Sequence, residues 1–164
     1  MTIEQKERIA EINTEIANLY AEIDKINPYA KLVRMSNKEF GEQWSEAYIR
    51  SKVPNLNKNN GAGHDMASRK YPNVEVKSSR IVFDGSWTEN QIHPAQADAY
   101  VFVWYNCDEG TEEICLISTK DMLDKCKLSK QHGDGCFSMR STKHNREVLH
   151  QYMVPSFEDL NRMV

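Results

Sequence analysis

The chain has 164 residues, 40% of them apolar and 27% charged, with 7 Gly and 5 Pro, which excludes wholesale disorder and collagen-like repeats. That length fits one globular unit able to bury about two thirds of its unfolded surface. Lys and Arg number 21 against 24 Asp and Glu, and a net charge of −3 argues against a protein that coats nucleic acid by overall basicity, though not against a local basic groove.

The opening residues, Met1 to Arg8, are charged and carry neither the apolar stretch nor the cleavage site of a signal peptide, so a cytoplasmic location is expected. The longest apolar run, Ala99 to Tyr105, is far short of the roughly 20 residues of a membrane span. Cys107, Cys115, Cys126 and Cys136 are expected to be free thiols. Zinc, with His132, His144 or His150 helping, is the lesser reading, because no two cysteines stand at the short spacing of structural sites.

Ile9, Ile12, Ile16, Leu19, Ile23 and Ile26 recur at 3-4-3-4-3 spacing, the a/d stripe of a coiled-coil seam, and Pro28 ends the pattern. This predicts an amphipathic helix over 2–26, within an N-terminal element of residues 1–27 that precedes a main domain of 28–164. The helix either lies on its own domain or pairs with a copy of itself. A capping box at Ser36-Asn37-Lys38-Glu39 opens a second helix, with Phe40, Trp44, Ala47 and Tyr48 on its buried stripe. At 100° per residue Glu42 falls on the opposite flank, turned toward a groove or toward solvent. Residues 55–63, rich in Asn and Gly, read as a surface loop.

From Val74 the period changes to two: Val74 and Val76 alternate with Glu75 and Lys77, as in a strand with one apolar and one charged face. Ile81 to Phe83 reads as a second short strand turning at Asp84-Gly85, a hairpin signal. Residues 99–105 are apolar on both alternating faces, residues 113–118 read as a further strand, and helices follow at 119–126 and 156–163. The fold class is α/β, with a central mixed β-sheet flanked by helices and a long N-terminal amphipathic helix.

Glu75 and Lys77 share one strand face, about 7 Å apart. Asp65 leaves the loop just upstream, and if residues 65–77 form a hairpin it returns beside Glu75. Two carboxylates and a lysine then converge, the set needed to hold a hard divalent cation and to orient or deprotonate a water for phosphodiester hydrolysis. A solvated amphipathic strand is the plainer alternative.

With these residues, written D-x9-E-x-K, the sequence resembles the PD-(D/E)xK nuclease superfamily, which includes most type II restriction endonucleases, junction resolvases and repair nucleases. The resemblance spans roughly residues 36–120. It extends upstream to Gly41-Glu42-x-x-Ser45-x-x-Tyr48-Ile49, similar to a first helix whose glutamate reaches the metal, and downstream to Gln91 and the segment 97–103. His64 stands at the family's proline position, and the downstream glutamine is either Gln91 or Gln96. The resemblance implies a restriction-endonuclease-like fold and Mg²⁺ bound by Asp65, Glu75 and the carbonyl of Val76. It further implies that Lys77 positions the attacking water, and that Glu42 assists.

Basic residues concentrate late in the chain, at Lys125, Lys127, Lys130, Arg140, Lys143 and Arg146, whereas the N-terminal helix carries six acids to three bases. Lys58, Arg69, Lys70, Arg80, Gln91, Lys143 and Arg146 are candidate DNA contacts, and residues 132–140 could reach base edges. His93, Trp87 and Trp104 read as loop or packing residues. The expectation is a Mg²⁺-dependent endonuclease on double-stranded DNA, of the type II restriction kind and acting as a homodimer. A junction-resolving or repair nuclease is the alternative within the family, and a non-catalytic DNA-binding or oligomerisation module is the alternative outside it.

Overall fold

The computed structural model describes residues 1–58, 65–131, 133 and 135–164, and the side chain of Glu42 is not among the described parts. Helix α1 (Ile3–Ile26) opens on a capping box in which Thr2 accepts from the Gln5 amide and Gln5 answers to Thr2. It ends at Asn27, whose side chain donates to the Cys107 carbonyl at 2.7 Å and accepts from the amides of Tyr29 and Ala30. Gly110 (φ +71°) lies so near Asn27 that an added Cβ would stand 3.0 Å from its side-chain oxygen, so glycine is required there. A 3₁₀ turn follows at Ala30–Arg34.

The Ser36–Glu39 capping box forms in both directions. The helix it opens is wound as a π-helix over Glu39–Ser45 before continuing as α2 (Glu46–Lys52). This corrects the expected stripe. Phe40 is buried and Trp44 and Tyr48 are half-buried against the same core, as expected, but the wide turn rotates Ala47 out to solvent and buries Ser45 and Ile49. The 100° count that aimed Glu42 does not hold across such a segment, and its side chain lies outside the described residues.

Nine strands form two sheets among the described residues, giving the expected α/β class. The strands are β1 (Asn57–Lys58), β2 (Met66–Ala67), β3 (Val74–Ile81), β4 (Thr88–Ile92), β5 (Ala99–Asn106), β6 (Thr111–Ser118), β7 (Leu128–Lys130), β8 (Phe137–Arg140) and β9 (Met153–Val154). The mixed main sheet has the order β1-β2-β3-β5-β6-β9, with β3 and β5 parallel, and the second sheet has the order β4-β8-β7. Helices α3 (Thr119–Lys125), α4 (Lys143–His150) and α5 (Phe157–Met163) complete the chain, capped by Ser118, Thr142 and Ser156.

Strand β5 is the spine. Seven of its eight residues are buried, because alternate side chains enter two separate cores. Ala99, Val101, Val103 and Tyr105 pack with Leu32, Phe40, Ile49 and Leu160 on one face. Tyr100, Phe102 and Trp104 pack with Trp87, Met122, Met139 and Leu149 on the other.

One further expectation is corrected. Residues 81–83 do not start a hairpin strand. Every residue of β3 through Ile81 is in register with β5, after which the chain turns through Phe83 (φ 57°) and Gly85 (φ 68°) to begin β4 in the other sheet. The basic stretch 125–146 is built from β7, β8 and the start of α4, and its framework is Asn145. That fully buried side chain accepts from the Lys127 amide and donates to the carbonyls of Lys127 and Arg140.

Candidate active site

Strands β2 and β3 form the hairpin that returns Asp65 to Glu75, with Met66 opposite Val74. Asp65 Oδ2 accepts from the Val76 amide at 2.9 Å. Asn73 and Ile81, both at odd-numbered positions, give their carbonyls to the β5 side, so the even-numbered Val76 turns both its backbone groups the other way, toward Asp65. Beyond Val74 no strand among the described residues pairs with this edge of β3. Two carboxylate side chains and one carbonyl are therefore gathered at an open strand edge.

Glu75 and Lys77 project from the face shared with Tyr100, Phe102 and Trp104. Lys77 Nζ donates to Glu75 Oε1 at 2.6 Å, and both side chains are largely shielded, at 16% and 14% exposure. Burial pushes the Glu75 carboxyl above the usual glutamate range. The Lys77 charge opposes that rise, and Asp65 adds to it.

Glu89, on β4, closes the floor. It is 3% exposed and accepts from Trp104 Nε1 at 2.8 Å. Burial raises its pKa, and the Ser79 and Trp104 hydrogen bonds and the Lys77 charge draw it back. The residue was invisible in the sequence because Thr88-Glu89-Asn90-Gln91 carries no apolar alternation. Tyr100, directly opposite Glu75 in register, is buried, and its hydroxyl makes no hydrogen bond of ordinary geometry among the described residues.

A cleft of about 570 Å³ joins Asp65, Lys77, Ser79, Glu89 and Gln91. It runs along the open edge of β3 into a shallower groove of about 440 Å³ ending at Arg80, Ser86 and Trp87, with Asn37 and Gly41 on one wall and Thr88 on the other. Gln91 reaches the cleft through a bulge. Asn90 and Gln91 together face the single Ser138, and Gln91 takes φ 55°. Gln131 pins the bulge, accepting from the Gln91 amide at 2.8 Å and donating to Asn90 Oδ1 at 2.7 Å.

The basic candidates divide. Lys58 and Arg69 are exposed, Lys58 being paired opposite Met66, next to Asp65. Lys70 is exposed but reaches the Met163 carbonyl at 3.3 Å, and Lys143 is 92% exposed at the start of α4. Two arginines are turned to internal duties. Arg80 donates to the carbonyls of Leu32 and Met35 at 2.8 and 2.7 Å and stacks on Phe40. Arg146 spans the carbonyls of Ser141 and Gly85. Glu42, His64 and His132 lie outside the described side chains.

The donor set suits a hard divalent cation: the Asp65 and Glu75 carboxylates and the Val76 carbonyl are all oxygen ligands. Charge argues the same way. The cleft is lined by Glu46, Asp65 and Glu89 against Lys77, with Glu75 already held on Lys77, an acidic balance that would repel a phosphodiester unless a cation intervened. Among the described residues no three His, Cys, Asp or Glu side chains cluster as a metal site by themselves. The four cysteines are buried free thiols, and no helix among the described residues is long and apolar enough to cross a membrane. No family model matches the chain, and no curated protein matches it.

Because Glu89 holds its proton more tightly folded than unfolded, it lowers stability as pH rises from the ordinary glutamate value, about 4.3, to its raised folded value. Glu89→Gln should therefore match the wild type in strong acid and exceed it at neutral pH. Urea midpoints across the pH range check this, and a difference that stays flat with pH would refute it.

Proposed function

We propose that the protein is a Mg²⁺-dependent endonuclease acting on double-stranded DNA in the cytoplasm, with a restriction-endonuclease-like fold and the specificity of a type II restriction enzyme. The observation that carries the reading is the meeting of Asp65, Val76 and Lys77 in a cleft that continues as a groove, with Glu75 held on Lys77 beside them. Asp65, Glu75 and Val76 would hold the metal, which supplies charge neutralisation at the scissile phosphate and a lower pKa for a bound water. Among the described residues Lys77 is the only cation lining the cleft, and it would orient the attacking water. Hydrolysis by such a set leaves 5′-phosphate and 3′-hydroxyl ends, the outcome the family resemblance implies.

Base recognition falls to Asn90 and Gln91, which the bulge sets at the mouth of the cleft with amide groups able to read base edges. Lys58, Arg69 and Lys143 supply phosphate contacts from exposed positions. Two copies would address the two strands of a duplex. Incubation of supercoiled and linear plasmid with the purified protein tests the reading: Mg²⁺-dependent discrete fragments, abolished by chelation, are expected. Nicking confined to branched substrates would transfer the protein to the junction-resolving class. The absence of metal-dependent cleavage on every DNA form would leave a non-catalytic module.

A further inference from the structure

We propose that α1 pairs with α1 of a second copy as a parallel, in-register, two-stranded coiled coil. This rests on the N-terminal helix alone and stands whether or not the cleft is a nuclease site. The seam residues Ile9, Ile12, Ile16, Leu19, Ile23 and Ile26 are between 38% and 85% exposed, and the helix has no buried residue. Six large aliphatic side chains on one stripe of a capped, 24-residue helix are therefore left facing outward.

The chain's own body occupies a different flank. Arg34 lies over the Tyr20 ring at 4.3 Å and forks onto Asp24 at 2.6 Å, and Asn27 bonds the Cys107 carbonyl. With Ile9 at position a, Tyr20 and Asn27 are e residues and Asp24 is a b residue, all to one side of the seam. The body thus holds the last two turns from the side and leaves the a/d stripe clear.

The 3-4 spacing selects the occupant. A repeat of 3.5 residues keeps a straight stripe only against another helix wound with the same left-handed supercoil. Burying the six side chains on each of two helices gives an interface on the order of 1,000 Å², near the lower bound for a specific protein pair. The flanks select the direction. In a parallel pair Glu15 and Glu22, at g, meet Tyr20 and Asn27 of the second copy, so no like charges face each other. The Arg34 guanidinium over Tyr20 then lies near the incoming Glu15. An antiparallel pair built on the same layers would set Glu15 against Glu22 of the other copy, twice.

Isoleucine at five of the six seam positions would suit three or four strands. A third helix must cover the e flank, which Tyr20 and Arg34 already fill, so two strands are specified.

Sedimentation of the full chain should give twice the 19.0 kDa chain mass. Ile16→Asp combined with Leu19→Asp should give the monomer with an unchanged thermal transition of the body, since neither side chain contributes to a core. A monomeric wild type, a three-chain mass, or a double variant that stays dimeric would each overturn the proposal. Ile9→Cys should form a disulfide to the same residue of the second copy on oxidation. A mixed disulfide between Ile9→Cys and Ile26→Cys chains would overturn the parallel direction.

Discussion

On the proposed nuclease reading, Asp65→Asn, Glu75→Gln and Lys77→Met should each lower the rate of Mg²⁺-dependent plasmid cleavage by at least about 10³-fold, because each would remove a charge contributing several kcal/mol in the transition state. The three separate in what they do to the fold. Asparagine at 65 keeps an oxygen for the Val76 amide, so the β2–β3 hairpin is retained and only the anionic ligand is lost. Glutamine at 75 keeps an oxygen for Lys77 Nζ while removing a buried carboxylate charge. Methionine at 77 is the disruptive change, for it leaves the shielded Glu75 carboxylate without its cation and pushes its pKa higher still. Cleavage rates and DNA binding in Ca²⁺ would be measured side by side. Lost cleavage with binding retained is the expected result, and undiminished cleavage in Asp65→Asn would remove that residue from the metal site.

Trp104→Ala should destabilise the protein by about 3–5 kcal/mol, the cost of emptying a large aromatic site. Trp104 is 2% exposed, stacks on Trp87 at 4.5 Å between centroids, and is flanked by Phe102 at 5.7 Å. It also donates to Glu89, so the truncation strips a buried carboxylate of a donor. Trp104→Phe separates the contributions. It preserves much of the ring packing and removes only the indole N–H, for a loss of about 1–3 kcal/mol. That loss should be smaller in a Glu89→Gln background, because no charge is then left to be stranded. Chemical denaturation of the two single variants and the double variant reads the coupling directly, and a Trp104→Phe penalty that ignores residue 89 would mean the hydrogen bond contributes little.

What the sequence disclosed follows the reach of each signal. Patterns of period two and 3.5 are local, so β3, β5, α1 and the caps at Ser36 and Ser118 stand where their residues placed them. The π-helical turn at Glu39–Ser45 was hidden because a change of winding leaves no mark on residue type, and it displaced the predicted stripe by moving Ala47 outward. The second sheet was hidden for another reason: β4 is polar and β7 and β8 are short, and β4 is joined to them by contacts 40 or more residues apart, as between Gln91 and Gln131. Of the cleft, Asp65, Glu75 and Lys77 were legible from spacing, whereas Glu89 and Tyr100 depend on which strands become neighbours. The fate of Arg80 and Arg146 was equally beyond reading, since a basic residue in the sequence does not declare that a carbonyl will claim it.

The unpaired edge of β3 has a bearing on solubility as well as on catalysis. A free strand edge offers a template onto which other chains can add strands, the route to insoluble assemblies. Here the edge is open but guarded. Asp65 occupies the Val76 amide, and Asn37, Gly41 and Thr88 to Gln91 wall the cleft beside it. The same carboxylate that would ligate the metal thus also blocks backbone recruitment, so replacing Asp65 by alanine, unlike asparagine, should raise light scattering at high protein concentration.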